Sequence, residues 1–166
     1  DMPPVNEVVV TGSRSPAIGA PDQLAGWTVH VRRASSYFES IQALNRRLVT
    51  TGAPLVMSVF VPDALEDEDL LEMVDAGVLD AVVVDDWKAR MWTQVLPRLR
   101  INEQAVLRAG GRIGWATRKD SPRLGAEIVA YMKAEVTKSL VAIRLDRYMR
   151  NTRRLGNPTE AAGRKR

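Results

Sequence analysis

The chain has no cysteine and only one histidine, His30, among its 166 residues. Without thiols there can be no disulfide and no thiolate metal site. A single imidazole all but excludes a zinc centre or a histidine-based catalytic triad. Aromatic residues are scarce, at 5%, and no apolar run approaches the roughly 20 residues of a membrane span. The glycines form no phosphate loop, no dinucleotide fingerprint and no nucleophile elbow, so the sequence calls for no cofactor. Asp1-Met2-Pro3-Pro4 carries no export pattern, and the start of the chain does not report a compartment. The net charge is only +4, and the piece from Arg144 onward is strongly basic, ending in Arg164-Lys165-Arg166. Neither a recognition element nor interleaved aromatics accompany them, so no nucleic-acid partner is expected.

What is present is an ordinary soluble composition, 45% hydrophobic and 27% charged, in a length that suits one domain or two small lobes. Gly77 is suited to stop a helix. Leu79–Val84 then forms a β-branched run that reads as a strand buried on both faces, and it ends at Asp85-Asp86. Before it, Glu7–Thr11 and Trp27–Arg32 read as strands, with one helical turn at Asp22–Gly26. Ser36-Tyr37-Phe38-Glu39 matches a capping box, and Tyr37, Ile41, Leu44 and Leu48 follow at helical spacing. Leu55–Val61 is the next strand, and Leu65–Ala76 is a helix with an acid-rich start. A further helix is expected from Asp86 to Leu96. Residues 27–96 thus alternate strand and helix, the pattern of a parallel sheet with right-handed crossovers. Beyond Pro97 the strand signals are weak around Leu99–Ile101 and Val106. Gly110-Gly111 reads as a turn and Arg112–Thr117 as a strand. Helices follow from Ser121-Pro122, with Ser121 as cap, and across about Leu140–Asn151.

Two strand-to-helix junctions carry candidate binding groups. At Arg32-Arg33-Ala34-Ser35-Ser36, free N–H groups of a helix start lie beside two guanidiniums and two hydroxyls, a setting attractive to a carboxylate or phosphate. Ser36 is in any case expected to cap its helix, with the arginines otherwise solvated. At Asp85-Asp86, ligands of open α/β sheets bind just beyond such strand ends, and a carboxylate there suits a ligand ammonium. One aspartate is expected to cap the next helix while the other faces the cleft. Together the junctions suit a zwitterion such as an amino acid or peptide. Adjacent carboxylates rarely provide the separation that glycosidic chemistry needs, and the Glu66–Asp69 cluster is better explained as a helix start than as a metal site. Neither catalytic residues nor metal ligands are therefore assigned.

Several pieces in their order resemble the second lobe of family 3 periplasmic solute-binding proteins. They are Asp22–Gly26, Thr28–Val31, Ser35-Ser36-Tyr37 with Glu39-Ser40, and Ala76–Asp85. More narrowly, His30-Val31-Arg32, Leu65–Val74, Val84-Asp85-Asp86, Ile113–Ala116 with Arg118-Lys119, and Arg147-Tyr148 with Asn151-Thr152 are similar to the N-terminal regulatory domain of the membrane-bound lytic murein transglycosylase F family. The resemblance runs from about Val8 to Arg166. It implies an α/β fold, a type II periplasmic-binding-protein-like lobe whose parallel-rich sheet is flanked by helices. Residues 1–11 would be a hinge strand, 12–106 lobe two, and 107–166 a return segment of one strand and two helices towards an absent first lobe. By the same resemblance Ser36 contacts a ligand carboxylate and Asp85 a ligand ammonium, with Ser35, Arg32 and Arg33 beside them. The implied partners are a muropeptide, stem peptide or amino acid, and a lysozyme-like catalytic domain beyond Arg166. The implied location is periplasmic, with the parent attached to the outer membrane. An alternative within the family is a transport protein delivering an amino acid to a permease. The chain departs from the family at Ala34, often glycine there, and in the glycine-poor stretch Val136–Ala142. The apolar faces of the C-terminal helices would pack on the first lobe; without it they would pack on lobe two, pair two copies of the chain or leave an exposed patch.

Overall fold

The structure is a computed structural model that describes residues 4–134, 143–144 and 146–147. Val5–Gly111 forms one compact unit, and Pro4 with the described residues from Arg112 onward belongs to another. In the first unit, five strands build one sheet: β1 (Val5–Gly12), β2 (Thr28–Arg32), β3 (Met57–Val61), β4 (Ala81–Asp85) and β5 (Leu99–Gly111). Their spatial order is β3-β2-β4-β1-β5. The expected parallel core is present, since β2 runs parallel to both β3 and β4. β1 is antiparallel to both of its neighbours, β4 and β5. Four strands therefore point one way and β1 alone the other, a parallel-rich mixed sheet.

Alternation along the strands sorts the apolar side chains onto two faces. Val9 of β1 with Ala81 and Val83 of β4 meet Tyr37, Ile41, Leu44 and Leu48 of α1 (Ser36–Thr51). Val8 and Val10 with Val82 and Val84 meet Leu70, Leu71 and Val74 of α2 (Asp67–Asp75) and Ala89 of α3 (Asp86–Trp92). The result is helix, sheet, helix in three layers. Within the predicted run Leu79–Val84, Ala81–Val84 is buried on both faces and Asp80 is exposed. Gly52 ends α1 at φ 68° and Gly77 follows α2 at φ 77°, left-handed conformations in which a side chain is strained. A 3-10 turn at Pro21–Leu24 supplies the expected helical turn.

Four local expectations are corrected. The cap of α1 is Ser35, whose Oγ accepts from Phe38 N–H at 3.4 Å. The Ser36–Glu39 box does not form, because Glu39 instead accepts from Arg108 of β5. A capping box does form one helix later, between Glu66 and Asp69. Gly110-Gly111 is no turn: β5 runs through it, held by pairing with β1, and residues 112–117 adopt no regular element. Helix α3 ends at Trp92, four residues early.

In the second unit, α4 (Pro122–Lys133) begins where Ser121-Pro122 predicted. Ser121 makes no side-chain cap, its hydroxyl turning to Asp120. No residue of α4 is buried, and Leu124 and Tyr131 on its apolar side are exposed. The helix expected over 140–151 lies for the most part outside the described residues, as does the basic tail.

Candidate functional site

The carboxyl ends of β2 and β4 and the start of β1 meet at one edge of the sheet, and the first turns of α1, α2 and α3 rise from it. β4 delivers Asp85 there. Glu7 of β1 pairs directly opposite it, and residues opposite one another on a ladder share a face. The parity of Asp85 with Val83, and of Glu7 with Val9, puts both carboxylates on the α1 side.

Asp67, the first residue of α2, is the centre of the site's charge network. Its carboxylate accepts from Arg32 Nη2 at 2.7 Å, from the Tyr37 hydroxyl at 3.1 Å and from Lys88 Nζ. Arg32 also meets Glu66 at 2.8 Å. Burial opposes the charge of Arg32, but Asp67 and Glu66 outweigh it and hold its pKa above the ordinary value. Burial, then the charges of Asp67 and Asp85, push the Tyr37 hydroxyl far up. Tyr37 therefore stays protonated, donating to Asp67 and accepting from the Asp85 amide at 3.3 Å.

Asp85 is half-buried, and burial is the main cause that raises its carboxyl above the ordinary value; Lys88 pulls the other way, while Glu7 and Asp67 add to the rise. Lys88 binds Asp67 instead, so no ion pair forms on Asp85 among the described residues. The Trp87 indole also favours the ionised form of Asp85, though at a geometry short of a hydrogen bond, and its Nε1 is buried without a partner. Asp86, the other half of the acidic pair, is buried and accepts from the backbone and side chain of Asn6. Neither aspartate caps α3 with its side chain.

Among the expected binding residues, the structure brings Ser35, Ser36 and Asp85 to this edge. Ser35 caps α1, and Ser36 is exposed with its hydroxyl donating to Glu7 at 2.8 Å. The arginines are engaged elsewhere: Arg32 in the Asp67 network, and Arg33 over the Phe60 ring at 3.8 Å. Both guanidiniums expected beside an anion are thus already engaged by groups of the chain. Sequence reasoning missed Glu7, Asp67 and Lys88. The visible signal for Glu7 was an acid opening an otherwise apolar strand. A cavity of about 160 Å³ lies at the opposite strand ends, lined by Gly12, Arg14, Asp75 and Arg98. There Arg98 is bound bidentately to Asp75. Among the described residues no cluster of three or more histidine, aspartate or glutamate side chains is placed to hold a metal, and no helix is long and apolar enough to cross a membrane.

This architecture is that of a periplasmic-binding-protein-like lobe. The chain superposes on the substrate-binding protein of an amino acid ABC transporter with a TM-score of 0.58 at 19% identity, over 87% of this chain and 57% of that one. An ancestral arginine-binding protein bound to arginine gives 0.57 at 19% identity, over 90% and 58%. A histidine kinase sensor domain with similarity to periplasmic binding proteins gives 0.57 at 20%, over 94% and 61%. The chain therefore spans about three-fifths of the length of these proteins. No protein-family model matches it, and no curated protein does.

Proposed function

We propose that the chain is a ligand-binding lobe of a periplasmic solute-binding module, and that it takes an amino acid or a cell-wall stem peptide at the edge formed by Ser35, Ser36 and Asp85. The observation that carries this reading is Asp85: a half-buried carboxylate at a strand's carboxyl end with no ion pair among the described residues. A ligand ammonium supplies the missing countercharge, and partial burial strengthens the attraction several-fold over bulk water. Arg32 and Arg33 act from the rim, since their charges are already engaged. The binding lobe in this reading is the compact unit Val5–Gly111, wider than the expected 12–106 because β1 and β5 belong to its sheet, and the chain after it returns towards a first lobe that covers the apolar face of α4. Pairing of two copies through the C-terminal helices is the other way to cover it, and light scattering at high concentration separates the two.

The finer proposal is a non-catalytic sensor that regulates a lysozyme-like transglycosylase domain, in a parent attached to the outer membrane. It rests on the order of the sequence motifs. Binding would act by favouring a closed state, because a ligand shifts an equilibrium only through its differential affinity. A transport role, with delivery to a permease, is the second reading, supported by the likeness to an ABC transporter's binding protein. The reading frame beyond residue 166 distinguishes them: a lysozyme-like domain supports the sensor, a stop codon the transporter. Calorimetric titration with free amino acids and stem peptides, in a chain carrying both lobes, tests the site. Asp85→Asn should weaken binding about tenfold or more; unchanged affinity would refute the assignment.

A further inference from the structure

Glu7 is the buried acid that the ligand reading leaves without a role. Its side chain is 6% exposed, and three groups converge on it. Oε1 accepts from Ser36 Oγ at 2.8 Å, Oε2 accepts from Ser40 Oγ, and Arg108 Nη1 stands 3.8 Å from Oε1. In the sheet Glu7 lies between Asp85 on β4 and Arg108 on β5.

A serine hydroxyl has one proton to donate and two lone pairs to accept with, whereas a carboxylate oxygen only accepts. The single proton of Ser36 is therefore directed inward at Glu7. Such a bond to a carboxylate is about twice as strong as one between neutral groups, and the burial of Glu7 removes water as a competitor. Ser36 itself is exposed, so what it presents outward is lone pairs. Turning its proton to a ligand carboxylate would leave one oxygen of a buried acid with only an arginine at 3.8 Å. Beside it, Glu7 and Asp85 sit directly opposite on an antiparallel ladder, an arrangement in which like charges repel and which a cation relieves.

We infer that Glu7 is a positioning residue that sets specificity: by holding the Ser36 proton, it makes the corner between Ser36 and Asp85 a side-chain acceptor site for an ammonium group. This rests on the ligand-binding reading and departs from the resemblance, which gives Ser36 to the ligand carboxylate. The ligand carboxylate is then met elsewhere, by other donors.

NMR titration of the ¹⁵N-labelled protein carrying both lobes with two blocked amino acids tests the inference. L-Alaninamide keeps the ammonium and lacks the carboxylate; N-acetyl-L-alanine is the reverse. Alaninamide should shift the Ser36 and Asp85 amides, and N-acetylalanine should leave them unmoved. Glu7→Gln, whose amide can donate to Ser36 and release its proton, should weaken alaninamide about tenfold and bring N-acetylalanine onto the same amides. Were the glutamate merely structural, Glu7→Gln would lose the alaninamide response and gain none to N-acetylalanine. Ser36→Ala is the second variant, for use where Glu7→Gln does not fold. It should weaken alaninamide severalfold and gain no response to N-acetylalanine. N-acetylalanine shifting Ser36 and Asp85 at lower concentration than alaninamide overturns the inference while leaving ligand binding intact. Shifts confined to other residues do the same. If neither probe moves any amide, the ligand-binding reading falls with it.

Discussion

Asp67→Asn is the most informative single change for the stability of this edge. Asp67 is 3% exposed at its side chain and binds groups from β2, α1 and α3 at once. Removing one partner of a buried ion pair costs about 3–5 kcal/mol, because the other charge is left without compensation. Two features reduce that figure here. Arg32 and Lys88 are 21% and 26% exposed, so water solvates part of each stranded charge, and Arg32 keeps Glu66. A loss of about 2–3 kcal/mol is expected, equivalent to a fall in Tm on the order of 10 °C for a unit of this size. Urea unfolding followed by circular dichroism measures it, with the slope m unchanged if the native state keeps its compactness. The pair Asp67→Asn with Lys88→Met should recover part of the loss, since the stranded ammonium goes too. A single variant within about 0.5 kcal/mol of the parent, inside the range of ordinary surface changes, would refute the view that this carboxylate organises the edge.

Two further outcomes follow from the buried polar groups. Asn102 is buried and bridges Ile18 N–H, Val9 C=O and the Thr11 hydroxyl. Asn102→Ala should cost about 1–3 kcal/mol through the unpaired groups it leaves, read by the same urea titration; no change would show that water replaces the amide. For Asp85, the folded-state pKa is raised, chiefly by burial. The folded chain then holds its proton at pH values where the unfolded chain has lost it, so stability falls as pH rises from the unfolded value through the folded one. Asp85→Asn should therefore raise Tm at neutral pH, with the gain fading in acid below the unfolded value. A gain that persists at pH 3 would point to packing instead of charge.

The alternation of strand and helix over residues 27–96 was legible because each helix carries one apolar stripe and each strand a β-branched run. The position of Asp85 at a strand end was legible for the same reason. The pairing of β1 was not, since local pattern does not say which strands lie beside it. That pairing is what brings Glu7 to Asp85 and Ser36. The capping residue of α1 was misread by one position, because Ser35 and Ser36 are chemically alike and only the backbone separates them: Ser35 is extended at φ −92°, ψ 152°. Residues 112–117 alternate as a strand would, but β1 is already paired with β4 on one side and with β5 as far as Gly111 on the other. Asp67 looked like one acid among four at a helix start, and only the fold shows that it faces inward.

The place of β1 also bears on how the chain must be made. Of the five strands in this sheet it is the first to leave the ribosome, yet both of its partners, β4 and β5, come far later in the sequence. At ordinary synthesis rates roughly 5–20 s pass between the emergence of Gly12 and that of Gly111. Until β4 emerges, late in that interval, an apolar, β-branched ribbon waits with neither of its edges satisfied, exposed to wrong pairing of the kind that open edges invite. Closing so long a loop is slow as well as late. The final sheet is thus assembled around its oldest strand, and chaperone demand during synthesis should fall on Val5–Gly12.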